Sequence, residues 1–301
     1  MIMVKKKSLN KRELLKIIKE EFPRLNYSKA KLNNKGWDHT ILILDDKFVF
    51  RFPKDECYIK KIKIEMELLN TFNKDSPLRV PKYHFMGKDS VFGGYKLIEG
   101  KELTKTVFGK LSNFQKKNCA KQLGEFLTIL HNFPVSIAKK IGLKDDWPLS
   151  DEKKEYENRK SFIFSVLSNN EGNFVKSFSK KYFSMKIPSS LTVIHNDLSG
   201  AHILINNGKI TGVIDFGDSS LGDPAKDFAW LWELGDRFAL DVLRSYDRQI
   251  DKEFLVRSHY YNFAGTLSQL YHGVADKKKK LLRDSLKKIK STTINSDFLS
   301  R

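Results

Sequence analysis

The 301-residue chain reads as an α+β protein with two unequal lobes, a small antiparallel-sheet lobe followed by a larger, mainly helical one. Three observations predict this. Paired β-rich runs crowd the first hundred residues around an embedded helix. Helical spacing dominates after Gly100. A late hairpin, His202–Ile205 and Lys209–Ile214, then interrupts the helices at an Asn207-Gly208 turn signal. The expected division is 1–98 and 99–301, and a cleft between two such lobes is a favoured ligand site.

In chain order, Asn10–Pro23 predicts a helix. Asn10 and Glu13 have capping-box spacing, Leu14, Ile17 and Ile18 share a face, and Pro23 follows the end. His39–Lys54 predicts a hairpin, with two β-rich runs around Asp45-Asp46-Lys47. Ile62, Met66 and Leu69 place Ile62–Phe72 in a helix, and Val80–Gly100 reads as two more strands around a turn. Beyond Gly100, Leu123, Phe126, Leu127 and Leu130 form a core stripe. Residues 151–190 read as polar amphipathic helices, and a helical remainder follows the late hairpin.

Composition excludes several classes. At 40% hydrophobic and 12% aromatic the chain can bury a sizeable core. Its two cysteines, Cys57 and Cys119, stand alone, which argues against a disulfide framework or a structural zinc. No apolar run approaches the roughly 20 residues of a membrane span, nor does a signal-type segment follow the basic start. A cytoplasmic protein with no membrane partner is expected, and a monomer. The net charge of +19 would suit nucleic acid. The lysines are nevertheless scattered, and the densest run, Asp276–Lys290, reads as a solvated helix face. No nucleic-acid partner is expected.

The chemistry concentrates in "IHNDLSGAHILI" and "IDFGD". The hairpin brings Asp197, His202 and Asp215 together. Two carboxylates and an imidazole converging at a buried hairpin call for a cation or a substrate proton, because unpaired carboxylates are costly to bury. Phosphoryl transfer supplies that need: an Asp accepts the hydroxyl proton, a metal bridges phosphates, and a strand cation steadied by a helix Glu grips the nucleotide. Within Asp215–Asp236 six acidic side chains face one basic one, Lys226, against the basic balance of the whole.

"HNDLSGAH", then "DFGD" thirteen residues after His202, with "FRFPK" upstream and "GDPAKDFAWL" downstream, resembles the aminoglycoside phosphotransferases, the protein-kinase-like antibiotic kinases. The likeness runs from roughly residue 30 to 240 and is nearest the 2″-phosphotransferase branch. It implies a protein-kinase-like bilobal fold and transfer of phosphate from ATP or GTP, with Mg2+, to an aminoglycoside. It implies Asp197 as catalytic base and His202 with Asp215 at the metal. Arg51 stands where the family more often has lysine, so either Arg51 or Lys54 grips phosphate, with Glu65 as helix partner. Tyr95, Lys96, Leu97, Ile98 and Glu99 form the linker that binds the purine edge, and Gly36 marks the nucleotide-covering loop. Ser199, Asp218, Trp232, Glu233 and Asp236 fall on the acceptor side. His195 and Asp227 are expected to brace the catalytic loop. The competing readings are another small-molecule kinase of this fold, acting on a macrolide, choline or a sugar amine, and a non-catalytic nucleotide-binding module.

Overall fold

A computed structural model describes residues 9–34, 36, 38–72 and 74–294. Helix α1 (Lys11–Glu21) starts at a capping box in which Asn10 and Glu13 satisfy each other's backbone N–H groups. Strands β1 (Ala30–Asn33), β2 (His39–Leu44) and β3 (Phe48–Pro53) lead into α2 (Glu56–Phe72). Strands β4 (Tyr83–Met86) and β5 (Gly93–Lys96) complete an antiparallel sheet of order β1-β2-β3-β5-β4. The β2–β3 turn places Asp45 and Asp46 at φ 51° and 53°, a conformation short polar side chains tolerate. The sequence pattern gave no separate sign of β1, which is short and has no fully buried residue.

The period-2 alternation of β3 decides what each face does. Phe50 and Phe52 point toward α1 and pack with Leu14, Ile18, Leu42 and Leu44. Val49 and Arg51 point the other way, toward α2. The apolar face of α2 joins the main core, which continues into the helical lobe; Phe72 lies 5.9 Å from Phe126 and 6.3 Å from Phe216, ring centroid to centroid.

The helical lobe opens with β6 (Lys101–Glu102), α3 (Lys105–Gly109), α4 (Asn113–His131) and α5 (Val135–Ile141). Helices α6 (Leu149–Phe164) and α7 (Asn169–Tyr182) follow. Next come β7 (Thr192–Ile194), the hairpin β8 (Ile203–Asn206) and β9 (Lys209–Val213), and β10 (Ser220–Gly222). The described residues end in α8 (Ala225–Phe228), a 3-10 segment Ala229–Leu234, α9 (Asp236–Arg244), α10 (Phe254–Ala275) and α11 (Lys279–Ile294). The predicted α4 stripe is fully buried, and Asn207-Gly208 turns the β8–β9 hairpin at φ 47° and 76°. Among the described residues no helix is long and apolar enough to cross a membrane, and both cysteines are free.

Gly124 marks the closest approach of α4 to α9. A Cβ there would lie 2.6 Å from the Val242 carbonyl oxygen and from Ser245 Cβ. Gly124→Ala should destabilise the fold by about 1–3 kcal/mol despite its better helix propensity. Gly109→Ala, which meets nothing within 4 Å, should be neutral or slightly stabilising; thermal melts of both variants check this.

Candidate active site

The alternation of β3 delivers Arg51 to the α2 side of the sheet, where it is 4% exposed. A guanidinium stays charged, so burial demands carboxylates. Two meet it: Nη1 lies 2.5 Å from Glu65 Oε1 on α2, and Nη2 lies 2.7 Å from Asp215 Oδ1. Tyr83 donates to the same Glu65 oxygen at 3.0 Å. His39 Nδ1 stands 3.3 Å from Nη2. Burial, then the Arg51 charge, lower that imidazole to about 3, so it accepts from the guanidinium as a neutral ring. Burial pushes the Glu65 carboxyl up, and the Arg51 guanidinium opposes that shift. Burial raises Asp215 too, but Arg51 and His202 outweigh it and hold this carboxyl below its ordinary range.

Two loops carry the other acidic groups, and each has a residue at positive φ, Asn196 at 65° and Asp215 at 68°. Such backbone persists only where its surroundings over-determine it. Asp227 on α8 supplies one restraint, accepting the N–H groups of His195 and Asn196, each at 2.8 Å. His131 Nε2 lies 3.0 Å from the same carboxylate. Burial raises the Asp227 carboxyl, yet His131 and the backbone donors hold it below its usual value. His195 is fully buried; its Nε2 donates to the Ile214 carbonyl at 3.0 Å and its Nδ1 accepts from the Asp197 N–H at 3.3 Å. One neutral tautomer thus ties the Asp197 loop to the Asp215 loop. Phe216 packs beneath, 4.5 Å from the His195 ring centroid.

These restraints bring Asp197, His202 and Asp215 together. His202 Nδ1 lies 2.7 Å from the Asp197 carbonyl oxygen, which can only accept, so Nδ1 carries a proton. Nδ1 is also 3.4 Å from Asp197 Oδ2, while Nε2 faces Asp215 Oδ2 at 3.5 Å. In the neutral ring that leaves two lone-pair donors facing each other, an arrangement relieved by a cation or a proton between them. Partial burial lifts the Asp197 carboxyl to about 6, with His202 pulling it down and Asp218 and Asp215 pushing it up.

The remaining sequence-predicted residues scatter around this centre. Lys54 donates to the carbonyls of Asn34 at 2.9 Å and Gly36 at 2.5 Å, closing the β1–β2 loop rather than pointing at Asp215. Gly36 is exposed, and its neighbours Lys35 and Trp37 lie outside the described residues. In the linker, Tyr95 is buried against Tyr83, Lys96 ends β5, the Leu97 N–H donates to Lys47, and the Glu99 carbonyl accepts from Thr211. The Ile98 N–H has no intramolecular partner among the described residues. Asp218 is held by Lys61 of α2 at 2.6 Å.

Beyond Asp197 opens a groove of about 920 Å³, lined by Ser199, Trp230, Trp232 and Glu233 on one side and by α10 and α11 on the other. Trp232 stacks on His259 at 3.8 Å and donates to Ser258 at 3.0 Å. Asp236 is exposed in the first turn of α9 and lies outside the groove lining. A second, aromatic cavity of about 370 Å³ between α6, α7 and α10 joins the groove through Asn196, Lys226 and Tyr261.

Sequence reasoning missed several contributors. His39 and Tyr83 complete the Arg51 surroundings, and Lys61 ties α2 to Asp218. Asp146 accepts from Asn196 at 3.1 Å and pairs with Lys226 at 2.5 Å. His131, on the core stripe of α4, is the one with a legible signal, an imidazole among leucines.

A small sheet lobe, a helical lobe and acidic loops gathered at their junction define a protein-kinase-like phosphotransferase. The chain belongs to the phosphotransferase enzyme family that includes the antibiotic kinases, matching it over residues 29–255. Among solved structures it is similar to the GDP and kanamycin complex of an aminoglycoside 2″-phosphotransferase of type IIIa. That likeness has a TM-score of 0.83 and 23% identity and covers 94% of this chain and 99% of that one. The gentamicin complex of the type IIa enzyme gives a TM-score of 0.72 at 18% identity, covering 94% and 97%. A macrolide 2′-phosphotransferase from Brachybacterium faecium gives 0.66 at 16%, covering 91% and 96%. The uncharacterized protein YcbJ of Bacillus subtilis is 38% identical over 63 residues, a match spanning 20% of this chain and 21% of that protein.

The Asp227 brace has a measurable consequence. Asp227→Ala leaves two buried N–H groups and His131 without their acceptor, and should cost several kcal/mol of stability at neutral pH, at about 1–3 kcal/mol per orphaned group. The Asp227 carboxyl is lowered from 3.8, so its stabilisation is present above that value and is lost as pH falls through the folded value. Urea unfolding from pH 7 to pH 3 should therefore show the gap between wild type and Asp227→Ala narrowing in acid.

Proposed function

We propose that the protein transfers the γ-phosphoryl group of ATP or GTP to an aminoglycoside hydroxyl, the 2″ hydroxyl by its likeness to that branch. The observation that carries this reading is His202 wedged between Asp197 and Asp215 at the mouth of a large groove. The family match and the similarity in fold to kanamycin- and gentamicin-bound phosphotransferases support it.

Asp197, facing the groove, accepts the hydroxyl proton as the acceptor oxygen attacks. Its raised carboxyl is a better base than an ordinary aspartate. Asp215 and His202 would hold magnesium. A set of only two protein donors fits that ion, which keeps waters and takes phosphate oxygens for the rest. The lone-pair clash between His202 Nε2 and Asp215 Oδ2 is the feature that fits a cation. When held there, the ion would supply neutralisation of the charge on the phosphates. Arg51, preset by Glu65 and Tyr83, is the cation aimed at the phosphates. Both cations are engaged, Lys54 by the Asn34 and Gly36 carbonyls and Arg51 by Glu65 and Asp215; the place of Arg51 beside Asp215 favours it over Lys54 for that role. The Ile98 N–H is a linker group open to a purine edge. Ser199 and Trp232 border the acceptor.

Incubation with kanamycin or gentamicin, magnesium and either nucleotide should add one phosphate to the antibiotic, read by mass spectrometry. Erythromycin serves as a parallel arm. Phosphorylation of erythromycin alone would replace the acceptor reading. Asp197→Asn should lower kcat by about 10²–10⁴-fold while nucleotide still binds; near wild-type turnover would remove Asp197 from the mechanism.

A further inference from the structure

The acceptor groove has an unexpected charge balance. Its lining carries four lysines, Lys105, Lys226, Lys287 and Lys288, against three carboxylates, Asp197, Glu233 and Asp284. Lys226 is already paired with Asp146 and Glu152, so the groove offers a polycationic acceptor no net negative charge. Asp197 is committed to the reaction, and Asp284 sits beside Arg283 at 3.3 Å. Glu233 is the carboxylate left to receive an ammonium group, and it is already engaged. Oε2 takes Lys105 of α3, and Oε1 takes Lys288 of α11. Asn262 of α10 donates to Oε1 at 3.2 Å and accepts from Lys288 at 2.8 Å, fixing the second lysine in place.

We propose that Lys105 and Lys288 are specificity-determining residues that neutralise Glu233, so that an ammonium-bearing acceptor reaches this carboxylate only by displacing a lysine. This rests on the aminoglycoside reading above. The two lysines differ in how readily they leave. The Lys105 side chain is 64% exposed and that of Lys288 is 28% exposed. Release of Lys105 into water costs little, whereas Lys288 is tied to both Glu233 and Asn262 across the junction of α10 and α11. Lys105 is therefore the exchangeable partner. An acceptor amine that takes its place keeps the carboxylate paired on both oxygens. Glu233 stays ionised for this exchange: burial raises its carboxyl, but Lys288 and Lys105 together bring it down to about 2.

The test is calorimetric titration of kanamycin into wild type, Lys105→Met and Lys288→Met, with thermal melts of each. Lys105→Met should bind kanamycin about ten-fold more tightly, with an unchanged melting temperature and a gain that shrinks as salt is raised. Adding Glu233→Gln to that variant should erase the gain. Lys288→Met should also tighten binding, and any fall in its melting temperature is read separately. Equal or weaker affinity in Lys105→Met, with wild type binding measurably, would overturn the clamp and leave the acceptor class intact. A Lys288→Met variant that melts lower without change in affinity would make Lys288 a structural brace and overturn its part. No binding by wild type or either variant would overturn both the clamp and the aminoglycoside reading.

Discussion

A buried guanidinium is the constraint on which the site depends. Arg51 cannot shed its charge, and an ion of that size left unpaired in the interior costs several kcal/mol. It is satisfied by Glu65 from the sheet lobe's helix and by Asp215 from the loop after the late hairpin, residues 164 positions from Arg51 in the second case. One side chain therefore fixes three things at once: the inward face of β3, the rotation of α2 and the place of Asp215. Lys61 repeats the link at the surface through Asp218, so both aspartates of the "DFGD" run are held from α2 or β3.

The loop that carries Asp197 is held by different means. Asp227 takes two consecutive N–H groups, and His195 joins the loop of Asp197 to the end of β9. These bonds offset the positive φ of Asn196 and present Asp197 beside His202. The aromatic contacts of Phe216 with Phe72, Phe126 and His195 anchor the same region from below. The Asp197 and Asp215 carboxylates are half-exposed, but the groups that aim them are buried. Rigidity beneath and access above is what positioned acid-base chemistry requires.

Much of this was legible because the signals are local. The Asn10–Glu13 box, the Asp45-Asp46 and Asn207-Gly208 turns and the α4 stripe are each written within a few residues, and the structure realises each. The hairpin argument that gathers Asp197, His202 and Asp215 is also local, since nineteen residues contain all three. Pairings across the fold left no such trace. Nothing near Glu233 announces Lys105 or Lys288, more than fifty residues away on either side. The Asp276–Lys290 run reads as a solvated face, yet two of its lysines, Lys287 and Lys288, line the groove. Lys54 illustrates the same limit. Its position suggests a phosphate contact, but two free carbonyls on the preceding loop claim it first.

The most direct measurement is magnesium-dependent nucleotide binding by Glu65→Gln, a substitution that keeps shape and removes one of the two charges holding Arg51. If Arg51 sets the geometry of Asp215, the guanidinium will swing fully onto Asp215. Calorimetry should then show nucleotide affinity in magnesium falling about ten-fold or more, with a much smaller loss in its absence. Affinity in magnesium equal to that of wild type, in a folded variant, would contradict the central role given to this buried ion triad.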